Sequence, residues 1–303
     1  MVCCYFCGKV VDSGQMHHTA CLKKLFGVDY LPTIDLSLGE VNIKAQAMVG
    51  KLSISGVQAK LSVKLNSKKR QLDIVSEGGE FILKPQINTF SDIPENENLC
   101  MTIADNLGIA VPPHSLVKLK DGAWAYIVKR FDREKKIKKH QEDFCQILGV
   151  GDEKKYSLSV EKIAKKLSEI SEVPGFDLQL FFERLLLFFL IGNGDAHLKN
   201  FSIVYSSEGS IKLSPAYDIV SSRLAIPNEK EEFAIAINGK KNNIRRKDFD
   251  TFAESFGINS DICYKNILKK ELIDNLILES QLPEAQKNKM TEIVSMRYSV
   301  IVP

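Results

Sequence analysis

The chain has no long uninterrupted apolar run, no one-sided charge and no even set of cysteines, and each absence removes a class of protein. The most apolar window, Phe181 to Ile191, is broken by Glu183 and Arg184 and is too short to span a bilayer, so it reads as a buried helix. Lysine plus arginine number 41 against 38 aspartates and glutamates, a formal charge of +3, which is too weak by itself to argue for nucleic-acid binding. Seven cysteines, three of them at Cys3, Cys4 and Cys7, do not form a disulfide framework and suit a reducing compartment. The first residues lack a basic stretch followed by a long apolar core. The expectation is a cytoplasmic protein. There is no internal repeat and no low-complexity segment.

What is present is an ordinary globular composition, 44% hydrophobic and 26% charged over 303 residues, enough for two lobes. Residues 1–30 form a Cys/His-rich head ending in an amphipathic piece, Ala20 to Phe26. Residues 31–131 are expected to form an N-lobe, strand-like from Lys51 to about Phe131, with alternation over Leu61–Leu65, a turn at Ser76–Gly79, a short strand at Glu80–Pro85 and another at Trp124–Phe131. A helix is expected over Asn96–Leu107, closed by Gly108. Residues 132–303 begin with a basic loop, Arg133 to His140, and then read as helices over Ser159–Ile170, Leu178–Ile191, Asp248–Phe256 and much of 264–297. Short strands interrupt them near Phe201–Tyr205, Ile211–Leu213 and Phe233–Ile237. The expected fold class is α+β, two-lobed and protein-kinase-like.

The chemistry concentrates in Asn193-Gly194-Asp195-Ala196-His197-Leu198-Lys199-Asn200, followed by Asp218 after a hairpin-sized gap. An Asp, four residues, an Asn and a later Asp is the order used in phosphoryl transfer, where the first Asp takes the proton of the attacking hydroxyl and the other two hold magnesium. Asp195 is the candidate base; Asn200 and Asp218 offer the hard oxygen ligands that magnesium prefers. Lys84, at the end of a strand, could reach the nucleotide phosphates, and Glu97 on the next helix could pair with it. Taken alone, an Asp-Asn pair in a glycine-flanked loop is a turn or a cap and a strand lysine is a solvated charge. The order of the whole set carries the inference. Lys51–Lys60 lies where a phosphate-covering loop belongs, with one glycine, Gly56; backbone donors and Lys60 could contact phosphate. Ser53 and Ser55 put hydroxyls near the transferred group, although an ordinary polar turn reads the same way.

Several segments, in matching order from about residue 50 to the C-terminus, resemble HipA-type serine/threonine kinase toxins. They are Ser53-Ile-Ser-Gly-Val-Gln-Ala-Lys60, Phe81-Ile-Leu-Lys84-Pro, Pro94-Glu-Asn-Glu97, Val128-Lys-Arg-Phe131-Asp132, His140-Gln-Glu-Asp143, Gly192-Asn-Gly-Asp195-Ala-His197-Leu-Lys-Asn200 and Pro215-Ala-Tyr-Asp218. The resemblance implies a non-specific serine/threonine protein kinase using ATP and Mg2+, the toxin of a toxin–antitoxin module, phosphorylating an aminoacyl-tRNA synthetase to arrest growth. It makes Asp195 the catalytic base and Asn200 and Asp218 the metal ligands. The nucleotide-binding set it implies is Lys84, Glu97, Ser55, Gly56, Val57, Lys60, His197 and the hinge Lys129–Phe131 with Asp132 near the ribose. Ser53 and Ser55 resemble loop serines that autophosphorylate. The short stretch before the loop resembles the HipT form, which implies a small HipS-like partner and a HipB-like DNA-binding antitoxin, with DNA contacted only inside such a complex.

At the head, Cys4-x2-Cys7 and His18-x2-Cys21 offer four ligands with zinc-knuckle-like spacing. His17 is an alternative ligand, Cys3 could displace Cys4, and a metal-free packed cluster is the alternative to zinc. The basic runs Arg133–Lys139 and Lys240–Lys247 read as solvated faces or as surfaces that steer an acidic partner. Two rival functions remain: a small-molecule phosphotransferase, which usually carries a His just before the catalytic Asp, and an inactive kinase-like scaffold, which the intact set of Lys84, Asp195, Asn200 and Asp218 argues against.

Overall fold

The structure is a computed structural model that describes residues 2–12, 14–48, 59–134, 137–206, 208–226 and 229–302. Ser53, Ser55, Gly56 and Val57, and with them the phosphate-loop expectation apart from Lys60, lie outside the described residues.

The head leads into α1 (Thr19–Phe26) and α2 (Leu38–Met48). Then come β1 (Leu61–Asn66), β2 (Gln71–Ile74), β3 (Phe81–Pro85), α3 (Ile93–Asn106), β4 (His114–Lys118) and β5 (Trp124–Lys129). Those five strands form one antiparallel sheet in the order β2-β1-β3-β5-β4. One face packs on a core that includes Leu25, Phe26, Val41, Leu61, Val63, Phe81, Leu83 and Ile127, the alternating inward set of a half-buried sheet. α2, β2 and β4 went unread in the sequence; β2 and β4 are short edge strands with little periodicity to detect.

Two-residue strands β6 (Arg133–Glu134) and β7 (Ile137–Lys138) pair in the expected basic loop, and β8 (Gln141–Asp143) joins a small sheet with β9 (Ser202–Tyr205) and β10 (Ile211–Leu213). Helices α4 (Phe144–Ile147), α5 (Val160–Ile170), α6 (Pro174–Leu190), α7 (Ser222–Ala225), α8 (Arg246–Ser255), α9 (Ser260–Ile267), α10 (Lys270–Leu278) and α11 (Glu284–Ile301) build the rest. The expected strand at Phe233–Ile237 does not form. Phe233, Ala234, Ile235 and Ile237 are buried, but only isolated bridges occur there, Ser159 with Ala236 and Ile237 with Lys240. The apolar run fills the core against Phe189 and Phe249 instead of extending a ladder.

α6 sets the position of the site. Pro174 suits its first turn, and every residue from Phe181 to Leu190 is buried, Glu183 and Arg184 included, so this part of the helix is enclosed on every side, as a central helix must be. Each apolar side chain among them contributes about 1.5–3 kcal/mol of burial. Its C-terminus closes with Gly192 in the left-handed region, φ 69°. The Gly192 N–H donates to the Phe189 carbonyl and the Asn193 N–H to the Phe188 carbonyl, a Schellman arrangement. The chain therefore leaves this buried helix along a fixed path, two residues before Asp195.

Candidate active site

Lys84 and Glu97 meet inside the protein. Lys84 pairs with Tyr126 in the β3–β5 register, and its ammonium lies 5.5 Å from the centre of the Tyr126 ring. The Lys84 side chain is 4% exposed and that of Glu97 2% exposed, with Nζ donating to Glu97 Oε1 at 2.5 Å. Nζ also donates to Asp218 Oδ1. Lys60 donates to the other Asp218 oxygen, Oδ2, at 2.7 Å. Burial works against charge on Lys84, but Asp218 and Glu97 outweigh it and hold the ammonium above its ordinary range. Burial likewise opposes charge on Asp218; Lys60 and Lys84 reverse that and keep the carboxylate far below its usual range. Burial raises the Glu97 carboxyl against the pull of Lys84. A buried pair of this kind is weak evidence for stability; it is stronger evidence for a site built to hold charge.

Asp218 sits at φ 55°, a conformation uncommon outside glycine and tolerated best by Asn and Asp. Its segment is fixed from both sides. The Ala216 N–H donates to the Ala110 carbonyl at 2.8 Å, and Arg184 reaches the Ser214 carbonyl. Asn96 on α3 clasps Ser221, donating to its carbonyl at 3.0 Å and accepting from its N–H at 2.9 Å. Asn96 and Glu97, adjacent in sequence, thus tie the sheet side to the helical side at this carboxylate.

Asp195 is exposed and accepts a hydrogen bond from the Tyr156 hydroxyl at 2.6 Å; the Asn193 side chain accepts from the Asp195 N–H at 3.2 Å. Gly194 has no room for a side chain: a Cβ would fall 2.7 Å from the Glu231 carbonyl oxygen. His197 lies edge-on to Tyr156, centroids 5.0 Å apart. Burial and then Lys155 push the imidazole down to about 4, opposed by the charges of both Asp195 and Asp218, so His197 senses both carboxylates. The His197 N–H donates to Asn200 Oδ1 at 3.0 Å; the second lone pair of that oxygen and the ionised Asp218 carboxylate are the hard donors a magnesium ion takes. Asp218 already gathers two ammonium groups, so the donor set suits a cation.

The expected hinge, Lys129–Phe131, begins at the last residue of β5 and is tied to its neighbours. The Lys129 N–H donates to the Pro113 carbonyl at 2.8 Å and the Arg130 N–H to the Glu80 carbonyl at 2.9 Å, so both are engaged within the fold. Asp132 is held by Arg130 and Arg133, and Phe131 lies 5.5 Å from Tyr217, centre to centre. In the basic run at Lys240–Lys247, Lys240 pairs with Asp248 at 2.7 Å and Arg246 donates to the Ile301 carbonyl, so these two charges serve the fold. Tyr156, Asn96 and Arg184 were not read in the sequence: Tyr156 lies in an irregular segment with no motif, and polar residues inside an apolar helix carry no spacing signal of their own.

In the head, the ligand atoms of Cys4, Cys7, His18 and Cys21 lie within 4.8 Å of one another. The two alternatives fail. Cys3 points away, its thiol 3.3 Å from Glu279 Oε2, and His17 is turned to the Ser115 hydroxyl at 2.8 Å. No helix among the described residues is long and apolar enough to cross a membrane.

The family model described as the HipA-like C-terminal domain matches residues 52–281. The chain belongs to the HipA-like family. A Haemophilus influenzae protein named as a kinase is 31% identical over 271 residues, covering 80% of this chain and 77% of that protein. The protein named as kinase Y4dM of Sinorhizobium fredii is 37% identical over 210 residues, 65% of this chain and 50% of its own length. The serine/threonine-protein kinase toxin HipA of Shewanella oneidensis is 26% identical over 243 residues, 72% of this chain and 54% of its own. The chain thus spans about half the length of these last two HipA-like relatives. Among solved structures, Shewanella oneidensis HipA in a complex with HipB and operator DNA aligns with TM-score 0.67 at 21% identity, over 96% of this chain and 79% of that one. The Helicobacter pylori proinflammatory kinase CtkA aligns with TM-score 0.57 at 16% identity, over 83% and 92%. The fold is therefore HipA-like and kinase-like, α+β as expected.

Proposed function

We propose that this HipA-like chain is an ATP- and Mg2+-dependent serine/threonine protein kinase. The observation that carries the reading is the buried Lys84–Glu97 pair meeting Asp218, because phosphoryl transfer is largely positioning and charge neutralisation and these three groups are the parts that supply it. Glu97 keeps Lys84 charged and aimed. Lys84 and Lys60 exchange the Asp218 carboxylate for nucleotide phosphate oxygens. Asp195, with one oxygen taken by the Tyr156 hydroxyl, has the other to accept the proton of a substrate hydroxyl. Magnesium, when bound, neutralises phosphate charge, and Asn200 and Asp218 are the residues that would hold it. Phe131 and Asp132 would meet the nucleoside.

The wider setting of the proposal is a toxin acting on an aminoacyl-tRNA synthetase, with a HipB-like antitoxin and a HipS-like small protein as partners. The sequence resemblance supports it, as does the toxin name of the Shewanella relative and the complex of its structure with HipB and operator DNA. The direct test is phosphate transfer from Mg-ATP by purified protein. Asp195→Ala and Asp218→Ala should each lower transfer by about a thousandfold or more, the scale of a lost catalytic group, with an unchanged circular-dichroism spectrum. Either variant labelling protein as fast as the parent would refute the assignment.

A further inference from the structure

Three consecutive residues of α3 face three different structures. Asn96 holds the Ser221 backbone, Glu97 holds Lys84, and Asn98 donates to the Tyr5 carbonyl at 2.9 Å. Two turns further on, Asn106 donates to the Cys7 carbonyl at 3.2 Å. Tyr5 and Cys7 belong to the Cys4–Cys7 turn of the head, so this helix is gripped from behind by the same segment that supplies two of the four clustered ligands.

The cluster has the dimensions of a metal site. A tetrahedral zinc with three thiolates and one imidazole has sulfur–sulfur edges of about 3.8 Å and sulfur–nitrogen edges of about 3.6 Å, from its bond lengths. The Cys7 thiol lies 3.4 Å from His18 Nδ1 and the Cys21 thiol 3.8 Å from it. A second observation points to a ligand. His18 Nε2 lies 2.9 Å from the Val10 carbonyl, which can only accept; Nε2 therefore carries a proton, and in the neutral ring the Nδ1 lone pair is turned into the cluster, the way a metal-bound histidine is oriented. All four cysteine and histidine positions are filled, with no open coordination position for chemistry, and soft thiolates with one imidazole select zinc among common divalent ions.

We propose that Cys4, Cys7, His18 and Cys21 bind one structural zinc ion, and that the metal braces α3 by fixing the Tyr5 and Cys7 carbonyls. The turn is pressed onto its neighbours: Gly8 sits at φ 72°, and a Cβ there would fall 2.6 Å from Leu276 on α10. Phe6 stacks on His114 of β4, centroids 5.9 Å apart. Without the metal, the segment between Cys4 and Cys7 loses a local constraint, which weakens the hold of the Tyr5 carbonyl on Asn98 and of the Cys7 carbonyl on Asn106; Asn106 keeps its other acceptor, the Thr102 carbonyl at 2.9 Å. The effect on Glu97, and through it on phosphate transfer, rests on the kinase reading; the metal site and the bracing do not.

The test uses the full chain and two readouts independent of activity. Elemental analysis should find about one zinc per chain, lost in Cys7→Ser and Cys21→Ser and retained in Cys3→Ser. Removing zinc from the wild type with a strong chelator should speed amide hydrogen exchange across 93–106 by about tenfold or more while leaving 174–190 unchanged. If the variants do not fold, cobalt added to the metal-depleted wild type decides the point, because a thiolate-rich tetrahedral site gives intense visible absorption. A wild type that takes up neither metal, or a Cys3→Ser protein as empty as Cys7→Ser, overturns the site. Unchanged exchange in 93–106 after zinc removal overturns the bracing. Loss of kinase activity alone would speak only to the proposed function.

Discussion

Glu95 is an ionisable residue of α3 poorly matched to its surroundings. Its neighbours Asn96 and Glu97 have partners, but Glu95 is buried with Oε2 unpartnered. Burial, with the charge of Asp92 acting the same way, pushes its carboxyl up to about 7. A folded-state value raised above the unfolded one means stability that is fully present below about pH 4.5 and lost as pH rises through about 7. Glu95→Gln removes that dependence. Relative to wild type, the variant should gain up to about 3 kcal/mol between pH 5 and pH 8, measured as urea unfolding midpoints of both proteins at each pH. An equal difference at the two pH values would contradict the assignment. At the same scale, the Lys84–Glu97 pair was legible in the sequence, and Asp195 and Asp218 drew notice there by their types and order. Tyr156 was not, because a tyrosine in an irregular segment gains its role only when the fold brings it to Asp195.

At the scale of elements, α6 and α3 divide the work. α6 was read from its apolar run, and its Schellman end at Gly192 explains why Asp195 follows at a fixed offset. α3 was expected over Asn96–Leu107; it runs over Ile93–Asn106, and every residue from Ile93 to Ala104 is buried. Its polar side chains face other parts of the protein instead of water, which spacing alone does not reveal. The head was half legible: Cys4, Cys7, His18 and Cys21 cluster as expected, while the choice against Cys3 and His17 needed the contacts of Glu279 and Ser115. The loop preceding Lys60 carries the autophosphorylation proposal. After incubation with Mg-ATP, mass spectrometry should find phosphate on Ser53 or Ser55, absent in Asp195→Ala; phosphate confined to other residues would refute it.

For the molecule as a whole, the sheet of β1–β5 and the helices around α6 meet at one carboxylate, Asp218, which takes a lysine from β3 and another from the residue just before β1. The kinase-like fold class was readable in the sequence. The missed edge strands were not, being short with little periodicity, and neither was the fate of Phe233–Ile237, where burial of Phe233 against Phe189 and Phe249 took the place of a ladder. An inactive scaffold would have no need to keep a lysine charged in a buried site, and a small-molecule phosphotransferase would leave the cell's proteins unlabelled. The most direct measurement is the phosphoproteome of cells expressing the wild-type chain against cells expressing Asp195→Ala. The kinase account predicts serine or threonine phosphorylation of one or a few proteins, present only with the wild type; identical phosphoproteomes from the two would contradict it.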